Sequence, residues 1–409
     1  MAVFQVPRDF GSISQAAAEV NPGDTILVCP GVYHEVVIIP HDKPGIRIMA
    51  GNGAVVLDGL SRLAIAFLIQ ANNTEISGFT IQNFSMGGIR ASAPPGAIFL
   101  SGTKLINNRV IHMTEGAGVE LLGTFASLIW KNQILGSGGN GINIQARDTW
   151  LVENEIYASR GNGIATLTNT TVGNMMIGNR LLTNGKNGIA DSAGLNLFEG
   201  NFIAGNRING IHQLSGKGSA GLIRNDIRNN GGHGVLLNTM GHMVTGNSIM
   251  GNHLSGVRIE GDFNSVEENR ITGNQGNGII IGSSAQGNLV IRNHFNQNVP
   301  VDIDRVNSRN DVVENCCATS NPPGLCSATS PGSGQLAGAG VTGNIANNAG
   351  ASAEMFHWMD LQQQLIGVLE LNPDGMKPDQ SESNCPVLRI LKADLERVAG
   401  DNGLFSTGI

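Results

Sequence analysis

Aromatic residues make up only 4% of this 409-residue chain, and charged residues only 14%. So little charge, with 41% apolar residues, excludes a chain kept disordered by self-repulsion. The formal charge is −7 and there is no basic block, which disfavours a nucleic-acid partner or an anionic membrane surface. No apolar run reaches the ~18–20 residues that span a bilayer, so membrane insertion is not expected. The opening MAVFQVPRDF is not a basic region followed by an apolar stretch, so no secretory leader is visible. Cysteines are few and odd in number: Cys29, Cys316, Cys317, Cys326 and Cys385. Their spacing does not make paired C-x-x-C zinc ligands, and no metal or cofactor is expected.

Glycine, by contrast, is abundant at 57 residues, and it is periodic. A Gly-Ile or Gly-Val pair recurs with its apolar member at 89, 119, 142, 164, 189, 211, 235, 257 and 279. From Val119 onward the steps are 23, 22, 25, 22, 24, 22 and 22 residues. Ten residues before the apolar member stands Asn132, Asn154, Asn179, Asn201, Asn225, Asn247 or Asn269. Five before it, in the later repeats, stands Asn184, Asn206, Asn230, Asn252 or Asn274. One further repeat keeps both positions as Asn293 and Asn298, with Asp302-Ile303 replacing Gly-Ile.

Two more columns are apolar in every repeat. One reads Ile81, Ile111, Ile134, Ile156, Leu181, Ile203, Ile227, Ile249, Ile271, Phe295, and the other Ile76, Ile106, Ile129, Leu151, Met176, Phe198, Leu222, Val244, Val266, Val290. Their neighbours are mixed polar, which is the period-2 signature of strands. Three short strands in 22–25 residues fit one coil of a parallel β-helix running from about Thr25 to about Asn315. Ten such coils at ~4.8 Å make a rod of roughly 50 Å. The asparagine columns are expected to bond along the stack at the corners.

The coil and the stretch SISQAAAEVNPGDTILVCPGVYHEVVI resemble the right-handed parallel β-helix repeat family, the broad pectate-lyase-like superfamily. The likeness covers about residues 10–315. It implies an all-β solenoid closed by a short N-terminal helix, and a place outside the cell or on its surface. It does not choose between lyases, hydrolases, epimerases, adhesins and structural proteins, which share this fold.

The domain plan follows from where the pattern starts and stops. Residues 1–24 form an N-terminal cap, with Ser12 and Gln15 as a capping box and Ile13, Ala16, Ala17 and Val20 on one helix face. Residues 25–326 form the β-helix. Residues 327–352 are a Gly/Ala/Ser-rich linker. Residues 353–409 place Trp358, Leu361, Leu365 and Val368, then Leu388, Leu391, Leu395 and Val398, at helical spacing. This C-terminal helical hairpin either folds back on the solenoid or joins copies into a homo-oligomer. Cys317 and Cys326 are expected to lie close together at the C-terminal end, with a disulfide possible and Cys316 as the competing partner.

For chemistry, one outer row reads Arg90, Glu120, Asn143, Ala165, Ala190, His212, Leu236, Arg258, Ile280. His212, His233, Arg258 and Glu260 form one candidate catalytic patch, with Arg207 at its border as a candidate substrate contact. A histidine, a carboxylate and an arginine could move a sugar-ring proton and hold a uronate. Gly232-His233-Gly234 is similar to the GHG of polygalacturonases, and Arg258-Ile259-Glu260 stands where those enzymes carry R-I-K. Their paired aspartates are missing, since this coil reads Asn209-Gly210-Ile211, and an inverting hydrolase needs two carboxyls. GKGSAG at 216–221 falls at a corner and opens no helix, so it is not a dinucleotide loop.

Two further rows bear on function. The inward row two past the key apolar residue reads Leu121, Ile144, Thr166, Asp191, Gln213, Leu237, Ile259, with three polar residues that must be satisfied inside. A second outer row, Gln133, Glu155, Arg180, Phe202, Asp226, Ser248, Arg270, His294, alternates in sign like a surface ion-pair ladder. Trp130, Tyr157 and Phe202 face outward without forming one row for sugar stacking. The leading reading is a non-catalytic structural or binding β-helix of a cell, spore or particle surface, with a glycan as possible partner. The alternative is a polysaccharide-active enzyme, a lyase or epimerase before a hydrolase.

Overall fold

A computed structural model describes residues 1–327, apart from positions 95, 98, 215 and 217. The chain winds through about thirteen turns of a parallel β-solenoid with almost no helix. Three sheets of 14, 14 and 12 strands run the length of the rod. Every described strand pair is parallel and joins a strand to its counterpart one coil away, as in Ile203↔Ile227↔Ile249. Most strands are three residues long, because one alternating triplet, outward–inward–outward in two sheets and inward–outward–inward in the third, is all that fits between two corners.

The inward residues stack into one continuous core. Ile134, Ile156, Leu181, Ile203, Ile227, Ile249 and Ile271 are all fully buried, as are Ile142, Ile164, Ile189, Ile211, Val235, Val257 and Ile279. The column assignment needs correction in one coil. Val110, not Ile111, pairs with Ile134, and Leu105, not Ile106, pairs with Ile129. An extra residue between Val110 and Val119 lengthens that turn, so counting back from Val119 lands one position late.

The corners are held by asparagine. In the column Asn108, Asn132, Asn154, Asn179, Asn201, Asn225, Asn247, Asn269, Asn293, Asn315, the backbone N–H and the Nδ2 of each residue both donate to Oδ1 of the next, at 2.8–3.1 Å. Nδ2 also donates to a strand carbonyl, Leu151 O in the case of Asn179. A second column, Asn184, Asn206, Asn230, Asn252, Asn274, Asn298, repeats the pattern. These side chains are buried, so each bond answers a donor or acceptor that would otherwise cost ~1–3 kcal/mol. The residue before each asparagine of the first column turns through positive φ. Glycine takes this at Gly178, Gly200 and Gly246, but Glu153, Arg224, Glu268 and Arg292 adopt it too, with side chains in solvent reach.

The solenoid starts earlier than the repeat announces. Val3–Val6 forms a strand that pairs in register with Thr25–Val28, ahead of the helix Ile13–Glu19. Ser12 Oγ accepts the N–H of Gln15 at 3.1 Å, while the Gln15 side chain reaches Gly11 N rather than Ser12 N. Glu35 closes the helix start by accepting from Ile13 N and Ser14 N. At the other end the strands continue to Ser320–Asn321. Cys326 is disulfide-bonded to Cys317, not Cys316, with 5.0 Å between their Cα atoms. The linker beyond Ser327, the hairpin 353–409 and any assembly through it lie outside the described residues.

Candidate functional site

The 14-stranded sheet that includes Ile211–Gln213, Val235–Leu237 and Val257–Ile259 carries the candidate patch. Its register stacks His212 on Leu236 and Leu236 on Arg258, as the outer row requires. Glu260 follows Arg258 on the same face, and His233 sits at the corner just before Val235. The charges of Arg258 and His212 both bear on His233. Each, however, is already engaged. The Arg258 guanidinium donates from Nε to Glu260 Oε1 at 2.6 Å and closes an ion pair with it. His212 Nε2 faces the Asn238 amide at 3.0 Å. Partial burial pushes the His212 pKa down.

His233 has a different occupation. A third corner column runs Asn140, Asn162, Asn187, Asn209, His233, Ser255. Asn162, Asn187, Asn209 and His233 each donate their backbone N–H to the side-chain oxygen one coil before. Ser255 N then donates to His233 Nδ1 at 3.2 Å. The imidazole nitrogen replaces an asparagine oxygen. That role needs an unprotonated Nδ1, and burial followed by the nearby Arg258 charge lowers its pKa to about 4. His242 does the same in a fourth column, Asn174, Asn196, Ala220, His242, Asn264, Asn288, Asn310. It accepts Ala220 N at Nδ1 (3.1 Å) and donates its own N–H to Asn264 Oδ1. Its pKa also falls to about 4, through burial. Arg207 is exposed at the corner one coil before His233, outside this set of bonds.

The inward polar row forms an island in the apolar core. Thr166 Oγ1 donates to Asp191 Oδ1 at 2.6 Å, and Asn196 Nδ2 and Ala193 N converge on the same oxygen. Asp191 Oδ2 and both amide atoms of Gln213, stacked one coil on, have no hydrogen-bond partner. Gln213 is near enough to favour the carboxylate slightly, but burial dominates and raises the Asp191 pKa. The island is closed: Asp191 and Gln213 are each 1% exposed.

The aromatic residues expected to face outward form no open row, although Phe99, Phe125 and Phe263 are exposed elsewhere on the rod. Trp130 is 3% exposed. Phe202 lies between the guanidinium groups of Arg180 and Arg228, at 5.1 and 4.6 Å. The second outer row is an ion-pair ladder only where Arg180 lies on Glu155, since Asp226 pairs with Arg228 of its own strand. GKGSAG leads into the strand Gly221–Ile223 and not into a helix.

Three parallel sheets wound around one core, with corner asparagines, make this a parallel β-helix, the fold that the resemblance to the right-handed parallel β-helix repeat family implies. Residues 189–313 match the family described as "Periplasmic copper-binding protein (NosD)". No curated protein matches the chain. Solved structures similar in fold include the A-module of mannuronan C-5 epimerase AlgE4 from Azotobacter vinelandii, at 15% identity and a TM-score of 0.51, covering 75% of this chain and 94% of that one. The surface adhesin PfbA of Streptococcus pneumoniae aligns at 15% identity and a TM-score of 0.55, over 70% and 87%. A mannuronic acid-specific polysaccharide family 6 lyase from human gut microbiota aligns at 12% and 0.53, over 75% and 86%. No helix among the described residues is long and apolar enough to cross a membrane.

Proposed function

We propose that this protein is a non-catalytic β-helix of the cell envelope or surface that binds glycan on its outer face. The observation that carries this reading is the occupation of every candidate acid and base. His233 holds a corner backbone N–H with its only basic nitrogen on that side, and Glu260 is neutralised by Arg258. A general base near neutral pH needs a free lone pair and a pKa close to the working pH, and His233 has neither. The fold neighbours support carbohydrate as the ligand class and include an adhesin beside the enzymes. The periplasmic description of the matched family and that adhesin support the envelope or surface.

Copper, which that family's description names, meets no cluster of three or more His, Cys, Asp or Glu among the described residues. Two of the five histidines within 189–313 spend Nδ1 on backbone N–H groups.

The test is incubation with a panel of uronic-acid polymers, following unsaturated-product absorbance and C5 configuration. The expected result is no turnover. Turnover that disappears in His212→Ala or Arg258→Ala would overturn the reading and establish a lyase or epimerase.

A further inference from the structure

One corner of the rod is rich in glycine. Backbone bonds stack Gly139 on Gly116, Gly161 on Gly139, Lys186 on Gly161, Ile208 on Lys186 and Gly232 on Ile208. The residues just before these are Gly138, Arg160, Gly185, Arg207 and Gly231. The glycines are required by packing: a Cβ on Gly138 would lie 2.1 Å from Thr114 O, and one on Gly161 would lie 2.2 Å from Asn140 Oδ1. The consequence is a gap in the surface. At Gly138–Gly139 a cleft of about 380 Å³ opens between Glu115 on one side and Arg160 and Lys186 on the other.

The back wall of the cleft is fixed by a chain of side-chain bonds. Asn162 donates to Asn140 Oδ1 (3.1 Å), Asn140 to Asn143 Oδ1 (2.7 Å), and Asn143 to Glu120 Oε1 (3.0 Å). Arg90 Nε donates to Glu120 Oε2 at 2.7 Å, which cancels the charge of that carboxylate. The cations opposite are left over. Arg160, Lys186 and Arg207 are exposed, and none is in an ion pair among the described residues, whereas Arg180, Arg224, Arg228, Arg258 and Arg292 all are. The three cations stand on successive coils, so they advance along the rod by ~4.8 Å each.

We propose that this corner binds an anionic linear polysaccharide, with one sugar seated over Gly138–Gly139 and the chain running along the rod past Arg160 and Lys186 to Arg207. The amide wall suits sugar hydroxyls, and the free cations suit carboxylate or sulfate groups repeating along the chain. No aromatic ring lines the cleft. A neutral glycan would lack a stacking platform, and so would the bases of a single-stranded nucleic acid. Affinity therefore comes from charge and hydrogen bonds and falls as salt rises. The proposal rests on the glycan-binding reading above and adds the site and the ligand class.

Isothermal titration of the full chain with oligouronates, a sulfated glycan and a neutral glucan tests it, at two salt concentrations. The expected result is binding to one or both anionic glycans, weakened about tenfold or more in Arg160→Ala/Lys186→Ala, with a smaller salt dependence left. The carboxylate and sulfate arms identify which anion is preferred. Arg207→Ala weakens long oligomers and spares short ones. An unchanged melting temperature in these surface variants separates lost contacts from lost fold. Anionic glycan bound equally well by the double variant would sink this site and leave the glycan-binding reading intact. Equal binding of the neutral glucan would sink the ligand class, and no binding in any arm would sink the glycan-binding reading itself.

Discussion

Asp191 is the residue whose chemistry most opposes its surroundings. Its carboxyl is inside the core, its pKa is raised by burial, and Oδ2 has no partner. A raised carboxyl pKa stabilises the fold fully below the unfolded value of ~3.9 and loses that contribution as pH climbs toward the folded value. Asp191→Asn keeps an acceptor for Thr166 and gains an amide that can donate to Gln213. The variant is expected to melt higher than the parent at pH 7, by about 1 kcal/mol or more, and to match it near pH 4. Calorimetry at both values checks this. An equal offset at the two pH values would show that the carboxyl's charge is not the cause. His242 works in the opposite direction. Its folded pKa of about 4 lies below the unfolded ~6.5, so its contribution is whole above pH 6.5 and is lost as pH falls toward 4. That loss amounts to about 3 kcal/mol. His242→Asn restores a ladder oxygen that cannot be protonated and should flatten the stability curve between pH 4 and 6.5. Denaturant titration across that window shows whether it does.

At the level of the coil, the structure separates what periodicity reveals from what it hides. The apolar columns and the two longest asparagine columns recur at fixed offsets, so they can be read without coordinates. The third and fourth columns recur just as regularly, two and fifteen residues before the key apolar position. They are masked because His233, Ser255, Ala220 and His242 interrupt them. His233 between two glycines looks like a catalytic base until the register places it in line with Asn209. The engagement of Arg258 by Glu260 could have been read from two opposite charges two residues apart on one strand face. The cleft at Gly138–Gly139 could not, because it exists only through the stacking of Glu115, the glycine pair and Arg160 on three different coils. The inward columns also make a sharp prediction. Ile203→Asp or Ile227→Asp puts a charge where the nearest neighbours are Leu181, Ile203, Ile227 or Ile249, none of which can pair with it. Loss of the cooperative unfolding transition is expected. A variant that melts like the parent would mean these side chains do not face inward.

For the whole molecule, the governing fact is that each coil touches only the coils beside it. Removal of residues 350–409 is therefore expected to leave the β-helix spectrum and melting intact, while any oligomer falls to a monomer. Light scattering that records the same number of copies per particle for both forms would end the assembly idea. The corner ladders impose a stricter rule on length. In two columns each asparagine N–H is answered by an oxygen one coil further on, in the third by an oxygen one coil before, and the columns must be answered together. A coil can be added or removed whole, and every column stays in step. Coils of 22 to 25 residues keep step because the extra residues lie outside the ladders, as between Ile164 and Asn174, whereas loss of a ladder asparagine breaks its column. The rod is thus graduated like a ruler whose marks cannot be subdivided, and its reach can change only in whole steps. Duplication of a complete coil is the one edit that lengthens it without leaving a buried amide unanswered.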